Sequence, residues 1–279
     1  MTVNQPKESP LKSIRRFALI GYGAIGEEIG RAVCGAGERD CVACVLVRPG
    51  RLADSFPAVH DIPALVAAAP DVVLECAGHG AVRDYGEAVL AAGLDLVITS
   101  VGALADDDVA RALLRAAEAG GGRLLIAPGA VAGLDGLIAG RLAGLTRVTY
   151  TSYKPPEAWR GTAAEAVLDL DHPEVDRVVF EGSARDAARA YPKNANVSIS
   201  IGLCGLGIDR TQVRLVSSRA VADPRGVIEA EGAFGRFVFD ILGLAAPNNP
   251  KTSLLTAYSL LQCARLGQGL PVAALLDPP

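Results

Sequence analysis

The chain has 279 residues, half of them hydrophobic, with 27 Lys and Arg against 31 Asp and Glu, a formal charge of -4. That length holds two domains or one large one, with enough apolar residues for a sizeable core. The mild, mixed charge gives no sign of a nucleic-acid surface, and no run approaches the ~18 apolar residues of a membrane span. Met1 to Arg16 is polar and has no apolar signal-peptide core, so residues 1–15 are expected to form a disordered tail on a cytoplasmic protein.

Phe17-Ala-Leu-Ile20 reads as a short buried strand. Gly21-Tyr-Gly-Ala-Ile-Gly26 follows, and then Ile25, Ile29 and Val33 recur at helical spacing. Strand, glycine turn and helix are the context that gives GxGxxG its meaning as a dinucleotide site rather than a plain turn. Gly21 permits the tight turn, Gly23 a close approach of the backbone to a pyrophosphate, and Gly26 close packing of helix on strand. Ala24 and Ile25 open the helix, whose free N–H groups and positive dipole end favour phosphates.

Cys41–Val47 is the next strand. Cys41 and Cys44 form a CxxC, yet residues three apart on a strand face opposite sides and cannot share a metal. All six cysteines read as buried and reduced, with no metal site. This strand ends in Arg48-Pro-Gly-Arg51, where an NAD site usually carries an acidic residue for the ribose 2′-OH. Two arginines there suit a 2′-phosphate, so NADP is expected alongside NAD; the alternative is a pair of solvated turn residues.

Further strands are expected at Asp71–Ala77, Leu94–Thr99 and Arg123–Ala127, alternating with helices over about Ala81–Ala92 and Asp106–Ala119. The junctions at Gly78, Ser100 and Pro128 fall at strand carboxyl ends, where open parallel sheets bind ligands. Pro128 to Asp135 opens a helix. From Thr146 onward β-branched segments dominate: Arg147–Ser152, Arg177–Phe180, Gln212–Val216, Val227–Ala230 and Phe234–Leu242. Helices near Ser183–Ala190 and Ala195–Leu203 interrupt them, which suggests a second, α+β unit with a mostly antiparallel sheet. Asn248 to Ser253 leads into a terminal helix, Leu254–Arg265, with Pro250 placed near its start.

Tyr191-Pro-Lys-Asn-Ala-Asn-Val197 is the densest polar cluster of the second half. Lys193 suits a carboxylate, and Asn194 and Asn196 suit a carboxamide or carboxylate, or serve as a helix N-cap. His79, at a strand end above the expected cleft, is a candidate acid or base, or else a loop residue near the pyrophosphate. No histidine pair has metal-ligand spacing, and no nucleophile elbow is present.

Taken in order, Gly21–Gly26, Glu75-Cys-Ala-Gly-His79, Ser100-Val-Gly-Ala-Leu-Ala-Asp106, Pro128–Asp135, Lys154-Pro-Pro156, Gly182-Ser-Ala-Arg185, Tyr191–Val197, Gly232-Ala-Phe-Gly235 and Asn249-Pro-Lys-Thr-Ser253 resemble the L-aspartate dehydrogenase family over about Arg16 to Arg265. The resemblance implies an α/β fold. It implies that residues 16–130 with 246–279 form a Rossmann domain, a doubly wound parallel sheet, and that residues 131–245 form an inserted α+β domain for substrate and dimerisation. It implies oxidation of L-aspartate with NAD or NADP to iminosuccinate, which hydrolyses to oxaloacetate and ammonia or feeds pyridine-nucleotide synthesis, in a homodimer. It places cofactor contacts at the glycine turn, Ala130 and Asn196, with the segments around Ala77 and Ser100 on the nicotinamide side.

One departure stands out. The family carries a catalytic histidine, in an Asn-x-His pattern, between an Arg-Leu-Val and an Ile-Glu-Ala strand. Between Arg214-Leu-Val216 and Ile228-Glu-Ala230 the corresponding positions are Pro224 and Gly226. Three readings follow: a dehydrogenase or imine reductase for another amine, with room for a bulkier substrate; a slow aspartate dehydrogenase; or a catalytically silent NAD(P)-binding sensor. His79 and Lys193 are the candidates for a substitute proton carrier.

Overall fold

The computed structural model describes residues 15–38, 41–53, 56–170, 172, 175–192, 195–246 and 249–276. The expected tail and two of the candidate site residues, Lys193 and Asn194, lie outside the described residues.

The first half alternates strand and helix: β1 (Phe17–Ile20), α1 (Ala24–Gly35), β2 (Val42–Leu46), β3 (Ala58–Val59), α2 (Ile62–Ala67), β4 (Val72–Glu75), α3 (His79–Ala91), β5 (Asp95–Ile98), α4 (Asp107–Gly120) and β6 (Leu124–Ile126). Every residue of β1, β2, β4 and β6 is buried. Such unbroken apolar runs belong to a parallel sheet covered on both faces. Asp106 caps α4 by accepting from the N–H groups of Asp108 and Val109, and Gly121 ends it in the left-handed region at φ 81°.

The second half runs α5 (Leu134–Leu142), β7 (Leu145–Lys154), β8 (Asp176–Ser183), α6 (Ala184–Ala190), α7 (Ala195–Cys204), β9 (Gln212–Ser218), β10 (Arg225–Gly232), β11 (Gly235–Leu242), β12 (Ala245–Ala246), β13 (Asn249–Ser253), α8 (Leu254–Leu266), β14 (Leu270–Pro271) and α9 (Val272–Leu276). The first sheet has the order β14-β6-β5-β4-β1-β2-β3, all parallel but for β14, which returns antiparallel to β6. The strand order therefore reverses beside β1, between β2 and β4, and the glycine turn leaves the sheet at that switch point. The second sheet has the order β11-β10-β7-β9-β8, antiparallel except for the β7–β9 pair.

Two apolar clusters fill the fold. One packs α1 and α8 on a face of the first sheet, around Phe17, Leu19, Ile29 and Leu260. The other runs from the opposite face, around Ile20, Leu90 and Leu113, into the second sheet at Val148, Val213 and Ile228. Arg185 ties the two halves outside the core. Its guanidinium donates to both carboxylate oxygens of Asp209, at 2.6 and 3.0 Å, to Asp107 at 3.0 Å and to the Ala105 carbonyl at 2.8 Å.

The terminal helix begins at Leu254, with Pro250 near its start as expected, in β13 just before it. Pro is tolerated there because β13 pairs only with the two-residue β12 and so has few ladder bonds to lose. One expectation is corrected: Cys34 is exposed, near the end of α1, while the other five cysteines are buried. Cys41 and Cys44 belong to opposite apolar clusters, as strand alternation requires. Among the described residues no helix is long and apolar enough to cross a membrane.

Candidate active site

Gly21 sits at φ 92°, and a Cβ there would meet the Ala77 Cβ at 2.6 Å. Only glycine lets the chain leave β1 so close to the end of β4. A Cβ at Gly23 would meet nothing within 4 Å. That open space lies at the N-cap of α1, where no side chain satisfies the free backbone N–H groups. The arrangement fits a pyrophosphate, which those N–H groups and the helix dipole would hold.

Glu75, the last residue of β4, is completely buried. Its Oε1 accepts from the backbone N–H of Ala77 at 2.8 Å, from that of Gly78 at 2.7 Å and from the Ser100 hydroxyl at 2.9 Å. Its Oε2 accepts from the Ser100 N–H at 3.0 Å. A buried carboxylate is costly unless so satisfied. Here it gathers the ends of two strands into one rigid lip. Beside it the Cys76 thiol donates to the carbonyls of Ile20 and Gly21, and burial pushes its pKa far above the ordinary thiol value.

From the first sheet the lip faces a cavity of about 510 Å³, lined there by Gly23, Ala24, Ile25, Ala77, Ser100 and Ala130. The turn carrying Ala130 is held by α8, where the Ser259 hydroxyl accepts from the Gly129 N–H at 2.9 Å. The facing wall is the second sheet. Tyr150, Ser152 and Lys154 of β7, Gly226 and Ile228 of β10, and Asn196 and Ser200 of α7 line it, together with Arg160 and Thr162 after β7.

Of the sequence-derived candidates, Gly23, Ala24, Ile25, Ala77, Ser100, Ala130 and Asn196 are thus brought around one cavity, with Gly226 across from them. Gly21 and Gly26 stand behind the lip and shape it. Arg48 is exposed at the end of β2, outside the cavity-lining set. His79 also lies outside that set: its Nε2 is 2.7 Å from the Asn196 Oδ1, which accepts a second bond from the Gly102 N–H at 2.9 Å. Gly226 lines the cavity with the Tyr150 ring close beside it: a Cβ there would lie 3.1 Å from Tyr150 Cε2.

Sequence reading passed over Glu75, Tyr150, Ser152 and Arg160 as functional groups, and left Lys154 without a role. A signal for Glu75 was present: a lone carboxylate closing an apolar strand has to be satisfied by something at its end. Tyr150-Thr-Ser-Tyr-Lys154 carried the weaker signal of polar groups at alternate strand positions.

An open, mostly parallel sheet with a glycine turn at its switch point, facing a second sheet across a cavity lined by apolar and polar groups, defines a two-part nicotinamide-dinucleotide dehydrogenase. Comparison with known proteins narrows this. Residues 21–127 match the family described as homoserine dehydrogenase, NAD binding domain, and residues 135–266 match aspartate dehydrogenase, C-terminal. The chain is 45% identical over 217 residues to the L-aspartate dehydrogenase of Pseudomonas aeruginosa, covering 78% of each. It is 41% identical over 261 residues to that of Polaromonas sp., covering 91% of this chain and 97% of the relative. The crystal structure of aspartate dehydrogenase from Thermotoga maritima shares the fold, with a TM-score of 0.72 at 23% identity over 91% of this chain and 97% of that one. The chain belongs to the L-aspartate dehydrogenase family and is an NAD(P)-dependent amino-acid dehydrogenase.

Proposed function

We propose that the chain interconverts L-aspartate with iminosuccinate, which hydrolyses to oxaloacetate and ammonia. The observation that carries this is the cavity itself. One wall is the glycine turn and Glu75 lip; the other presents Lys154 and Arg160 beside Ser152 and Thr162. Two cations and several hydroxyls suit a small substrate with two carboxylates.

The dinucleotide, bound between the walls, supplies the hydride acceptor or donor. The N-terminus of α1 binds its pyrophosphate. Ala77, Gly78 and Ser100, clamped by Glu75, shape the nicotinamide side, and Asn196 stands at its edge. Lys154 and Arg160 orient the substrate so that its Cα faces that side, and the two walls exclude water from the transfer. Arg48, at the end of β2, approaches a ribose 2′-phosphate. Lys193 and Asn194 remain candidates for substrate binding by their place in the sequence.

The test is NADPH and NADH oxidation with oxaloacetate and ammonia. Turnover that depends on ammonia supports the reading, and Arg48→Ala is expected to raise the NADPH Kd by about tenfold while leaving NADH unchanged. Gly226, in the cavity wall with no side chain, favours a second reading, a silent NAD(P)-binding sensor. NADPH binding without ammonia-dependent oxidation of any 2-oxo acid would select it. A homodimer through the second sheet belongs to the proposal: the edge strand β11 exposes Val238 and Leu242, with Leu244 just beyond. Light scattering reporting a monomer at working concentration removes it. A cytoplasmic place supplying pyridine-nucleotide synthesis completes the reading.

A further inference from the structure

In the β7–β10 pairing Ile228 stands opposite Tyr150, and Gly226 opposite Ser152. Alternate residues share a face, so Tyr150, Ser152, Gly226 and Ile228 line the same stretch of cavity wall. The Tyr150 ring reaches diagonally over Gly226. A Cβ built on Gly226 would lie 3.1 Å from Tyr150 Cε2 and 3.3 Å from its hydroxyl oxygen. A side chain at position 226 would therefore press on the phenol from its first carbon. Tyr150 is 6% exposed and Ser152, two positions on along the same face, 5% exposed; burial raises the pKa of the phenol, and the neighbouring Ser152 side chain opposes that in smaller part.

Interconverting an amine and an imine requires a group that moves a proton at nitrogen while hydride moves at carbon. The other titratable side chains described near the cavity have roles already. The Cys76 thiol is bonded to two carbonyls, and the Ser100 hydroxyl to Glu75. His79 is bonded to Asn196. Lys154 and Arg160 are cations suited to carboxylates. Tyr150 remains, a phenol that burial keeps protonated, with a hydroxyl neighbour to replenish it.

We infer that Tyr150 is a catalytic residue of this cavity, giving and taking the proton of the substrate nitrogen through a relay that runs by Ser152. The inference rests on the amino-dicarboxylate reading above. In the reducing direction the carbon of the protonated imine takes the hydride of the reduced nicotinamide, and its C=N bond becomes a C–N single bond bearing a neutral amine. The amine lone pair takes the Tyr150 proton. As that O–H bond breaks, the Tyr150 oxygen takes the Ser152 proton, and Ser152 is reprotonated from solvent water. The products are the ammonium form of the amino acid and the oxidised nicotinamide, with one proton drawn from solvent. Oxidation runs the same relay backward.

The experiment pairs turnover with ligand binding. Tyr150→Phe is expected to lower kcat for ammonia-dependent NADPH oxidation by about 10²–10⁴-fold with the NADPH Kd unchanged. Calorimetry on the NADPH-loaded protein supplies the second readout, with no turnover needed. Tyr150→Phe is expected to weaken L-aspartate by about tenfold or more, while succinate, the same dicarboxylate without nitrogen, binds as before. Unchanged kcat, or equal losses for aspartate and succinate, overturns the inference and leaves the reading of the reaction standing. A wild type that binds NADPH and neither dicarboxylate overturns that reading, and the inference with it. Ser152→Ala carries the test if Tyr150→Phe does not fold: a lowered kcat with intact NADPH binding is expected, and full turnover overturns the relay.

Discussion

The Nε2 of His79 lies 2.7 Å from the Oδ1 of Asn196, joining the first residue of α3 to the first turn of α7. The same oxygen accepts the Gly102 N–H. A backbone donor fixes the amide orientation, so His79 must donate and its Nε2 carries the proton. The histidine thus positions Asn196 at the cavity edge. His79→Ala is expected to weaken NADPH binding more than it lowers kcat. His79→Gln, which retains a donor, is expected to recover much of the loss. Fluorescence titration of NADPH beside steady-state kinetics separates the two effects. A fall in kcat alone would make His79 a proton carrier instead.

Glu75 is expected to be the most sensitive polar residue outside the substrate wall. Glu75→Gln replaces one acceptor by an N–H₂ group that must face a backbone N–H or the Ser100 hydroxyl. One orphaned donor costs about 1–3 kcal/mol. The variant should melt earlier and bind NADPH more weakly, since the lip it holds lines the cofactor side. A variant equally stable and equally tight would show that the lip stands without its carboxylate.

Gly226→His does not simply return an imidazole to the wall. Its Cβ would press on the Tyr150 ring at 3.1 Å. Overpacking of this kind costs about 1–3 kcal/mol, and the ring has to give by a few tenths of an ångström to relieve it. Thermal melts of Gly226→His and of Gly226→His with Tyr150→Phe are expected to show a smaller penalty in the double variant, because removing the hydroxyl relieves the 3.3 Å contact and leaves only the 3.1 Å contact with ring atom Cε2. An undiminished melting temperature in Gly226→His would show that the wall yields freely.

The thiols differ by burial. Cys34 is exposed and should react with a disulfide reagent in the folded protein, a fast phase that Cys34→Ser removes. Burial pushes Cys44 and Cys263 up to about 11 and Cys204 up to about 12, so these wait for unfolding. The folded chain then holds protons that the unfolded chain releases in alkali. Stability from these groups is complete below the ordinary thiol value and declines as pH rises toward 11–12. Melting temperature against pH should fall on the alkaline side, and simultaneous fast labelling of several thiols at neutral pH would refute the burial.

What the sequence by itself determined is the local and the periodic. The apolar run Phe17–Ile20, the glycine turn and the helical recurrence of Ile25, Ile29 and Val33 define a strand, a turn and a helix whatever surrounds them, because sterics and periodicity act within a few residues. The parallel series followed for the same reason, and so did the opposite facing of Cys41 and Cys44. Motif order extended this to the family, and with it to the cofactor. Tertiary structure decided what depends on register and on contacts between distant segments. Gly226 and Tyr150 are far apart in sequence, and they meet because β10 pairs antiparallel with β7 in one register. A slip of one residue would turn each to the other face. Glu75 meets Ser100 only because β4 and β5 lie side by side with their ends level. His79 meets Asn196 only where the second sheet's helices close on the first. The site is therefore a product of pairing, where buried polar groups find partners that no local rule names.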